Sequence, residues 1–184
     1  MGDPLTLEHK QRTPVSIVLS LLTSKGYWLL LAFLGFFMQG VALYYQYVVG
    51  DEPCQICIHT RIWVAAFALL GLVMCVMPRI RLVDIIGHVL AVGCMMGLWE
   101  RCWYLFNIEN GKGQGSCEFF LGFPDWFALD KWFPAMFEVR NLCGFTPELM
   151  WGVSMAQCLI VVSSALVLGS LLALAVNVVA RPAA

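Results

Sequence analysis

Charged side chains are scarce in this chain, and their scarcity excludes most classes of soluble protein. Only 12% of the 184 residues are Asp, Glu, Lys or Arg, whereas 60% are hydrophobic. Soluble domains are about one quarter charged and about half apolar, so the composition indicates an integral membrane protein. The formal net charge is −1. The chain therefore lacks the excess of basic residues that is typical of nucleic-acid binding.

Long apolar runs predict four membrane spans. A helix needs about 20 apolar residues to cross a hydrocarbon core about 30 Å thick, at about 1.5 Å per residue. Four stretches meet this length, at 27–49, 58–77, 82–106 and 150–179. Lipid offers no partners to backbone polar groups, so these spans must be helical. We predict an all-α membrane protein in which residues 1–184 form one domain, a four-helix transmembrane bundle.

The segment before the first span is not expected to be a cleavable signal peptide. Residues 1–14 are polar, and the apolar stretch 15–22 is too short to cross a membrane. We expect this stretch to be an amphipathic or interfacial lead-in to the bundle.

Basic residues are concentrated on one side of the predicted bundle. Six lie at the termini and in the turn after the second span, whereas three lie in the loops 50–57 and 107–149. The two sets are Lys10, Arg12, Lys25, Arg79, Arg81 and Arg181, against Lys112, Lys131 and Arg140. Because Lys and Arg beside membrane spans are retained in the cytoplasm, we predict cytoplasmic termini and two loops outside the cytoplasm.

Eight cysteines fall into two groups of four. Cys54, Cys57, Cys117 and Cys143 lie in or beside the outer loops, and Cys75, Cys94, Cys102 and Cys158 lie within or near the ends of spans. The second group is expected to act as small apolar fillers. The first group lies on the side where disulfides persist. Three pairings are possible; proximity favours Cys54 with Cys57, which leaves Cys117 with Cys143.

Two other chemistries fit parts of this cysteine pattern. The Cys117–Cys143 pair, taken alone, can be a structural crosslink that stabilises a long loop by about 3 kcal/mol. A Cys-x-x-Cys pair on the same side of the membrane instead favours disulfide exchange between the two pairs. Zinc is the main rival. Structural zinc usually takes two tightly spaced pairs, whereas Cys117 and Cys143 are 26 residues apart. We predict no metal. A haem attachment motif would need histidine where Ile58 stands.

The Cys54-Gln55-Ile56-Cys57 motif lies where the second span is predicted to begin. Free N–H groups and the macrodipole at a helix N-terminus stabilise a thiolate and lower its pKa. Arg61 follows one turn after Cys57 on the same face. An arginine this far into an apolar run is a functional candidate, because its guanidinium can support a thiolate and donate to a quinone oxygen. The alternative is that Arg61 snorkels to the headgroups.

Aromatic side chains crowd the segment 119–137, FFLGFPDWFALDKWFPAMF. Such rings collect where one side is apolar and the other wet. We predict a short interfacial helix around 125–133; a lid packed on the bundle is a compatible alternative. Upstream glycines, Gly111, Gly113 and Gly115, provide the flexibility for Cys143 to approach the Cys-x-x-Cys pair.

Together these features resemble the DsbB family of bacterial inner-membrane thiol oxidases. The resemblance covers about 27–179 and depends on Pro-Cys-x-x-Cys at 53–57, Arg61, FPDWFALDKWFP at 123–134, and the flanking Cys117 and Cys143. It implies an inner-membrane location, with both loops periplasmic. It also implies that the four loop cysteines are catalytic, and that Arg61 and Cys57 bind a quinone.

The resemblance implies a reaction as well. A reduced periplasmic DsbA-type thioredoxin-fold oxidase attacks the Cys117–Cys143 disulfide and forms a mixed disulfide at Cys117. Cys143 exchanges with the Cys54–Cys57 disulfide, and the released Cys57 thiolate passes electrons to ubiquinone, or to menaquinone without oxygen. Reoxidising a strong oxidant such as DsbA requires a sink of this kind.

Two positions depart from the family pattern. Many relatives carry an aromatic residue and a glutamate where this chain has His59 and Thr60, so proton handling and quinone affinity are expected to differ. Two alternatives to this function are a DsbB-like paralogue that serves a dedicated partner, and a non-catalytic scaffold held by structural disulfides.

Overall fold

Four long helices form the bundle in this computed structural model, which describes residues 22, 24–112, 121–143, 148–150 and 152–179. They are α1 (Lys25–Tyr44, continued by a π-helical turn, Tyr45–Val49), α2 (Gln55–Val76), α3 (Arg81–Glu109) and α6 (Met155–Val179). Each is long and apolar enough to cross a membrane, so the predicted all-α class is confirmed. Apart from Leu22, the predicted N-terminal lead-in lies outside the described residues.

Close packing between α1 and α2 fixes the part of the bundle that matters most for the site. Helix α1 packs on α2, α2 on α3, and α3 on α6. A Cβ atom added to Gly35 would lie 2.5 Å from Ala68 Cβ, and one added to Gly71 would lie 2.8 Å from the Trp28 carbonyl oxygen. Small residues let membrane helices approach this closely. Their contact holds the two helices in the register that aligns the functional side chains described below.

The second span begins at Gln55, three residues before the predicted position. Cys54 is its N-cap residue, and the Cys54 sulfur accepts a hydrogen bond from the backbone N–H of Cys57 at 3.3 Å. Side-chain caps of this kind satisfy N–H groups that the first helical turn leaves unpaired. The apolar run alone does not reveal this start, because the capping residues precede it.

The fourth span begins at Met155, although the apolar run predicted a start near 150. Strands β1 (Glu148–Met150) and β2 (Val153–Ser154) form a short antiparallel hairpin before it. The Gln157 N–H donates to Ser154 Oγ at 3.2 Å, and the Ser154 N–H donates to Gln157 Oε1 at 3.3 Å. This reciprocal capping box sets the helix start, and its Ser-x-x-Gln pattern is visible in the sequence.

The aromatic loop folds into three short helical pieces, so the single helix predicted over 125–133 is wrong in extent. The pieces are a 3₁₀ turn (Asp125–Phe127), α4 (Leu129–Trp132) and α5 (Pro134–Phe137). The chain leaves the helical conformation at Phe133, which has φ −135° and ψ 65°. Proline disfavours the helical conformation in the residue before it, so Pro134 ends α4 and starts α5.

This loop covers the end of the bundle where α2 begins, which we call the loop end. Leu121 and Phe137 are buried and pack against Ile58 in the first turns of α2. Trp126 and Trp132 point outward, with 76% and 55% of their surfaces exposed. The loop is therefore a lid on the bundle that also presents tryptophans outward, as both predicted arrangements require.

Candidate redox site at the loop end of the bundle

The two cysteines of the Cys-x-x-Cys motif are thiols in contact across the first turn of α2. Cys54 is buried, with 4% of its surface exposed, and Cys57 is half-buried. Both are free thiols in the structure, so the disulfide predicted between them is not formed here. Their common helical turn keeps the two sulfurs close without help from the rest of the fold.

The pKa of the Cys54 thiol is lowered, chiefly by a hydrogen bond from the Cys57 thiol. Burial opposes this effect, while backbone N–H groups of Cys57 and Ile56 assist it. The direction agrees with the expectation for a cysteine at a helix N-terminus. The leading cause differs, because the neighbouring thiol contributes more than the backbone of the helix start.

Cys54 should therefore ionise at lower pH than an ordinary cysteine. At pH values between the pKa of Cys54 and that of an ordinary cysteine, Cys54 has the larger thiolate fraction. At pH values above both pKa values, the two thiols are ionised alike. Replacing Cys57 with alanine removes the donor and should move the midpoint of Cys54 to higher pH. The midpoint can be measured from the pH profile of iodoacetamide labelling at Cys54, resolved by peptide mass spectrometry. Cys75→Ala, near the opposite end of α2, is the matched control; equal midpoints in all three proteins would disprove the role of the thiol contact.

The segment that carries Cys143 is bound against the Cys-x-x-Cys motif. The backbone N–H groups of Arg140 and Asn141 donate to the Pro53 carbonyl at 3.0 and 3.3 Å, and Asn141 forms a β-bridge with Cys54. Cys143 is disulfide-bonded, and its side chain packs on the buried cluster that contains Cys54. Its predicted partner, Cys117, lies outside the described residues.

Arg61 is buried and held by three hydrogen bonds, so it does not snorkel. Its Nη1 donates to Gln46 Oε1 at 2.5 Å and to the Met136 carbonyl at 3.1 Å, and its Nη2 donates to the Ala42 carbonyl at 3.1 Å. Only 7% of its surface is exposed. A guanidinium has five N–H donors, so the Nε–H and one Nη2–H have no partner among the described residues and can bind a ligand.

Gln46 completes the link between Arg61 and the loop. Its Nε2 donates to the Ala135 carbonyl at 3.2 Å, and the Tyr47 hydroxyl donates to the same oxygen. Helix α5 is thereby bound to the π-helical turn at the end of α1 as well as to Arg61. The lid and the arginine consequently form one hydrogen-bonded unit.

A cavity of about 260 Å³ opens beside Cys57 and Arg61, between α1, α2 and α6. Its volume is close to the lower end of small-molecule sites, about 300 Å³. Most of the wall is apolar, including Leu34, Phe37, Met38, Val64, Leu159 and Val162. The polar members of the lining are Gln39, Asp51, Thr60 and Arg61. Burial raises the pKa of the Asp51 carboxyl, although the charge of Arg61 opposes that rise.

The sequence does not single out three residues of the site: Gln39 and Cys158, which line the cavity, and Gln46, which binds Arg61. Gln39 and Gln46 lie seven residues apart in an apolar run, which places them on one helix face, and this spacing was an available indication. Cys158 was expected to be an apolar filler, but it is exposed and lines the cavity. Cys102, by contrast, is fully buried in the core.

The two positions that depart from the family pattern have local partners. The Thr60 hydroxyl donates to the Cys57 carbonyl at 2.8 Å. The ring of His59 packs edge-on against Phe123, with centroids 5.3 Å apart. Thr60 thus lines the cavity with its hydroxyl engaged in its own helix, whereas His59 faces the lid.

The bundle has four helices that can span a membrane, and its Cys-x-x-Cys motif is bound to the segment that carries the disulfide-bonded Cys143. These features define a membrane thiol oxidoreductase. The profile of the family "Disulfide bond formation protein DsbB" matches residues 24–173. The chain belongs to this family, as the resemblance predicted.

Relatives of known name agree with this assignment. The chain is 34% identical to "Disulfide bond formation protein B 2" of Pseudomonas aeruginosa PAO1 over 165 residues, which cover 84% of this chain and 98% of the relative. It is 34% identical to "Disulfide bond formation protein B" of Shewanella sp. W3-18-1 over 143 residues, 77% of this chain and 81% of the relative. The Haemophilus influenzae protein of the same name is 29% identical over 138 residues, 74% and 78% of the two chains.

Proposed function

We propose that this protein reoxidises a periplasmic DsbA-type dithiol oxidase and passes the electrons to a membrane quinone. The observation that carries the proposal is the division of the Cys-x-x-Cys motif between two environments. Cys54 is bridged to Asn141 in the loop segment that carries Cys143, whereas Cys57, which packs against the same buried cluster, also lines an apolar cavity with Arg61. One thiol pair thus faces both a protein disulfide and a site for a lipid-soluble acceptor.

The exchange reactions conserve electrons at each step. A thiolate of the reduced partner attacks the disulfide of Cys143, predicted to be with Cys117, and the released Cys143 thiolate then attacks Cys54 of the oxidised pair. The Cys54–Cys143 bond forms as the Cys54–Cys57 bond breaks, and Cys57 leaves as a thiolate. The second thiol of the partner resolves its mixed disulfide and releases Cys117. The Cys117 thiolate then attacks Cys143, which reforms the loop disulfide, breaks the Cys54–Cys143 bond and leaves Cys54 and Cys57 as the reduced pair that donates to the quinone. The partner therefore loses two electrons and two protons and becomes a disulfide.

The cavity residues fit a quinone headgroup. The wall is mainly apolar, and Arg61 keeps two N–H donors for an oxygen acceptor while its other donors fix its position. A bound quinone supplies the acceptor for two electrons and two protons. Arg61 would hold the ring oxygen and stabilise negative charge at this site, including that of the Cys57 thiolate. The apolar wall would exclude water, which strengthens both interactions.

Asp51 is the titratable carboxyl in the cavity lining, next to the loop end. Its raised pKa favours proton uptake near neutral pH more than an ordinary carboxyl would. It is therefore suited to pass a proton between water and the cavity. We propose this role in place of the glutamate that many relatives carry where this chain has Thr60.

The proposed orientation places the loop end in the periplasm of a bacterial inner membrane and both termini in the cytoplasm. The distribution of Lys and Arg supports this arrangement. So does the chemistry, because the disulfide of Cys143 requires an oxidising compartment.

The function is tested by mixing the purified protein with reduced DsbA and a short-chain ubiquinone, and by following quinone absorbance. We expect one quinone reduced per DsbA oxidised. Cys143→Ser should slow DsbA-driven reduction at least 100-fold, because the partner loses its entry disulfide, while reduction driven by a small dithiol continues through Cys54 and Cys57.

Each alternative gives a different result in the same assay. A paralogue with a dedicated partner would reduce quinone with the small dithiol but not with DsbA. A non-catalytic scaffold would reduce no quinone with either donor, and a Cys54→Ser variant would match the wild type in cells.

A further inference from the structure

Gln39 is a buried glutamine whose amide has no hydrogen-bond partner within the described part of the chain. Only 7% of its surface is exposed, and neither its Nε2 nor its Oε1 is bonded. The side chain lines the cavity that contains Cys57 and Arg61. Buried amides are nearly always hydrogen-bonded, because removing them from water without a replacement is unfavourable. The arrangement therefore suits a ligand that offers polar atoms inside the cavity.

Gln46 provides an internal comparison on the same helix face. Its amide is fully used, since Oε1 accepts from Arg61 and Nε2 donates to the Ala135 carbonyl. The unpaired amide at Gln39 is thus specific to its position beside the cavity. It is not a general property of glutamines on this face.

Gln39 and the α1 carbonyl that binds Arg61 lie at different distances from the loop end of the bundle. Arg61 Nη2 binds the carbonyl of Ala42, and Gln39 lies three residues before Ala42, about 4.5 Å further from the loop end along the helix. The cavity lining thus carries two hydrogen-bonding groups at different levels along α1, and Gln39 is the one further from the loop end. A ring with an oxygen at each end matches two such groups.

We propose that Gln39 is a positioning residue for the quinone, which it binds at the ring oxygen that Arg61 does not hold; this inference depends on the proposed function. An amide both donates and accepts hydrogen bonds. Its Nε2 can donate to a quinone carbonyl, and its Oε1 can accept from a quinol hydroxyl. Gln39 can therefore bind substrate and product alike without changing its own protonation.

The test is Gln39→Met, which keeps the side-chain length and removes both polar groups. We expect the KM for a short-chain ubiquinone to rise about tenfold, the effect of losing one hydrogen bond to a neutral group. The KM for reduced DsbA should not change, because Gln39 lines the cavity and is not part of the buried cluster on which Cys143 packs. Phe36→Met is the matched control; it introduces the same residue on the lipid-facing side of α1 and should leave both KM values unchanged.

A vibrational measurement separates ligand contact from a structural effect. Infrared difference spectra of quinone labelled with ¹³C at either carbonyl should show two hydrogen-bonded bands in the wild type. In Gln39→Met one band should move to higher frequency, while the band of the oxygen near Arg61 stays in place. Gln39→Asn keeps the donor and the acceptor of an amide on a side chain that is shorter by one methylene. This variant should raise the quinone KM less than Gln39→Met does.

The outcomes distinguish this inference from the function on which it depends. If the wild type reduces no quinone, the proposed function fails. If the wild type is active but Gln39→Met leaves the quinone KM and both carbonyl bands unchanged, only the role of Gln39 is overturned. Should Gln39→Met fail to exchange with DsbA because it misfolds, Gln39→Asn decides, because its amide is withdrawn by one methylene: a carbonyl band that differs from wild type supports contact, and identical bands disprove it.

Discussion

Replacing Cys57 with serine should lower DsbA-driven quinone reduction by about three orders of magnitude or more, the scale seen when a reacting group is removed. Cys57 lines the cavity together with Arg61, whereas Cys54 is the N-cap residue packed toward Cys143. A serine hydroxyl keeps the shape of the side chain but cannot form a disulfide. The rate is measured from the loss of quinone absorbance with reduced DsbA as the electron donor.

The same variant should accumulate a covalent product that reveals the order of exchange. With Cys57 absent, the Cys54 thiolate can attack Cys143 in the reverse of the proposed exchange. The Cys54–Cys143 bond then forms as the partner of Cys143, predicted to be Cys117, leaves as a thiolate, and no second thiol in the motif competes for Cys54. Non-reducing peptide mass spectrometry should detect this bond. Cys75→Ser, near the opposite end of α2, is the control and should retain wild-type turnover. Substantial turnover by Cys57→Ser would exclude Cys57 as the electron-donating sulfur.

Replacing Arg61 with methionine should raise the apparent KM for quinone about 30-fold. A hydrogen bond from a charged group contributes about 1.5–3 kcal/mol, which corresponds to a factor of roughly 10 to 150. Arg61→Lys keeps the charge but cannot reproduce the fork of bonds to Gln46, Ala42 and Met136. We expect it to raise the KM about tenfold, between the wild type and Arg61→Met. Steady-state kinetics at saturating reduced DsbA provide both values.

A second variant separates the ligand contact of Arg61 from its anchoring of the lid. Gln46→Leu removes one acceptor from Arg61 and the bond to Ala135 but leaves the guanidinium in the cavity. If Arg61 acted only by holding the lid, Gln46→Leu would raise the quinone KM as much as Arg61→Met does. Unchanged quinone kinetics in Arg61→Met would show that Arg61 is not a ligand of the quinone.

The sequence predicts the number of spans correctly, but it does not predict where α2 begins. The four spans follow from the length of the apolar runs, because lipid forces each run to be helical. Their ends do not, since capping bonds set them: Cys54 starts α2, and Ser154 with Gln157 starts α6. The aromatic loop was predicted as one helix because its composition indicates an interface. Its division at Phe133 depends on local backbone conformation before Pro134.

In the candidate site, too, the sequence identifies some residues but not the distant groups that bind them. The sequence does not reveal the roles of Gln46 and Gln39. Each is a single polar residue in an apolar run, and the run gives no indication of the groups that other helices place beside it. Arg61 was identified because a charge within a span requires a partner. Only the folded chain shows that those partners are Gln46 and the backbone of α1 and α5.

The sequence by itself determined the membrane class, the four spans, and the presence of a dithiol with an arginine one turn away, because these features depend on composition and on spacing within one helix. The tertiary structure decided which distant groups meet them. The segment that carries Cys143 lies beside Cys54 because the Pro53 carbonyl accepts hydrogen bonds from the backbone of Arg140 and Asn141. The cavity is walled by residues of α1, α2 and α6, three helices that are separate in the chain. Such contacts join residues far apart in the chain, so no local pattern encodes them.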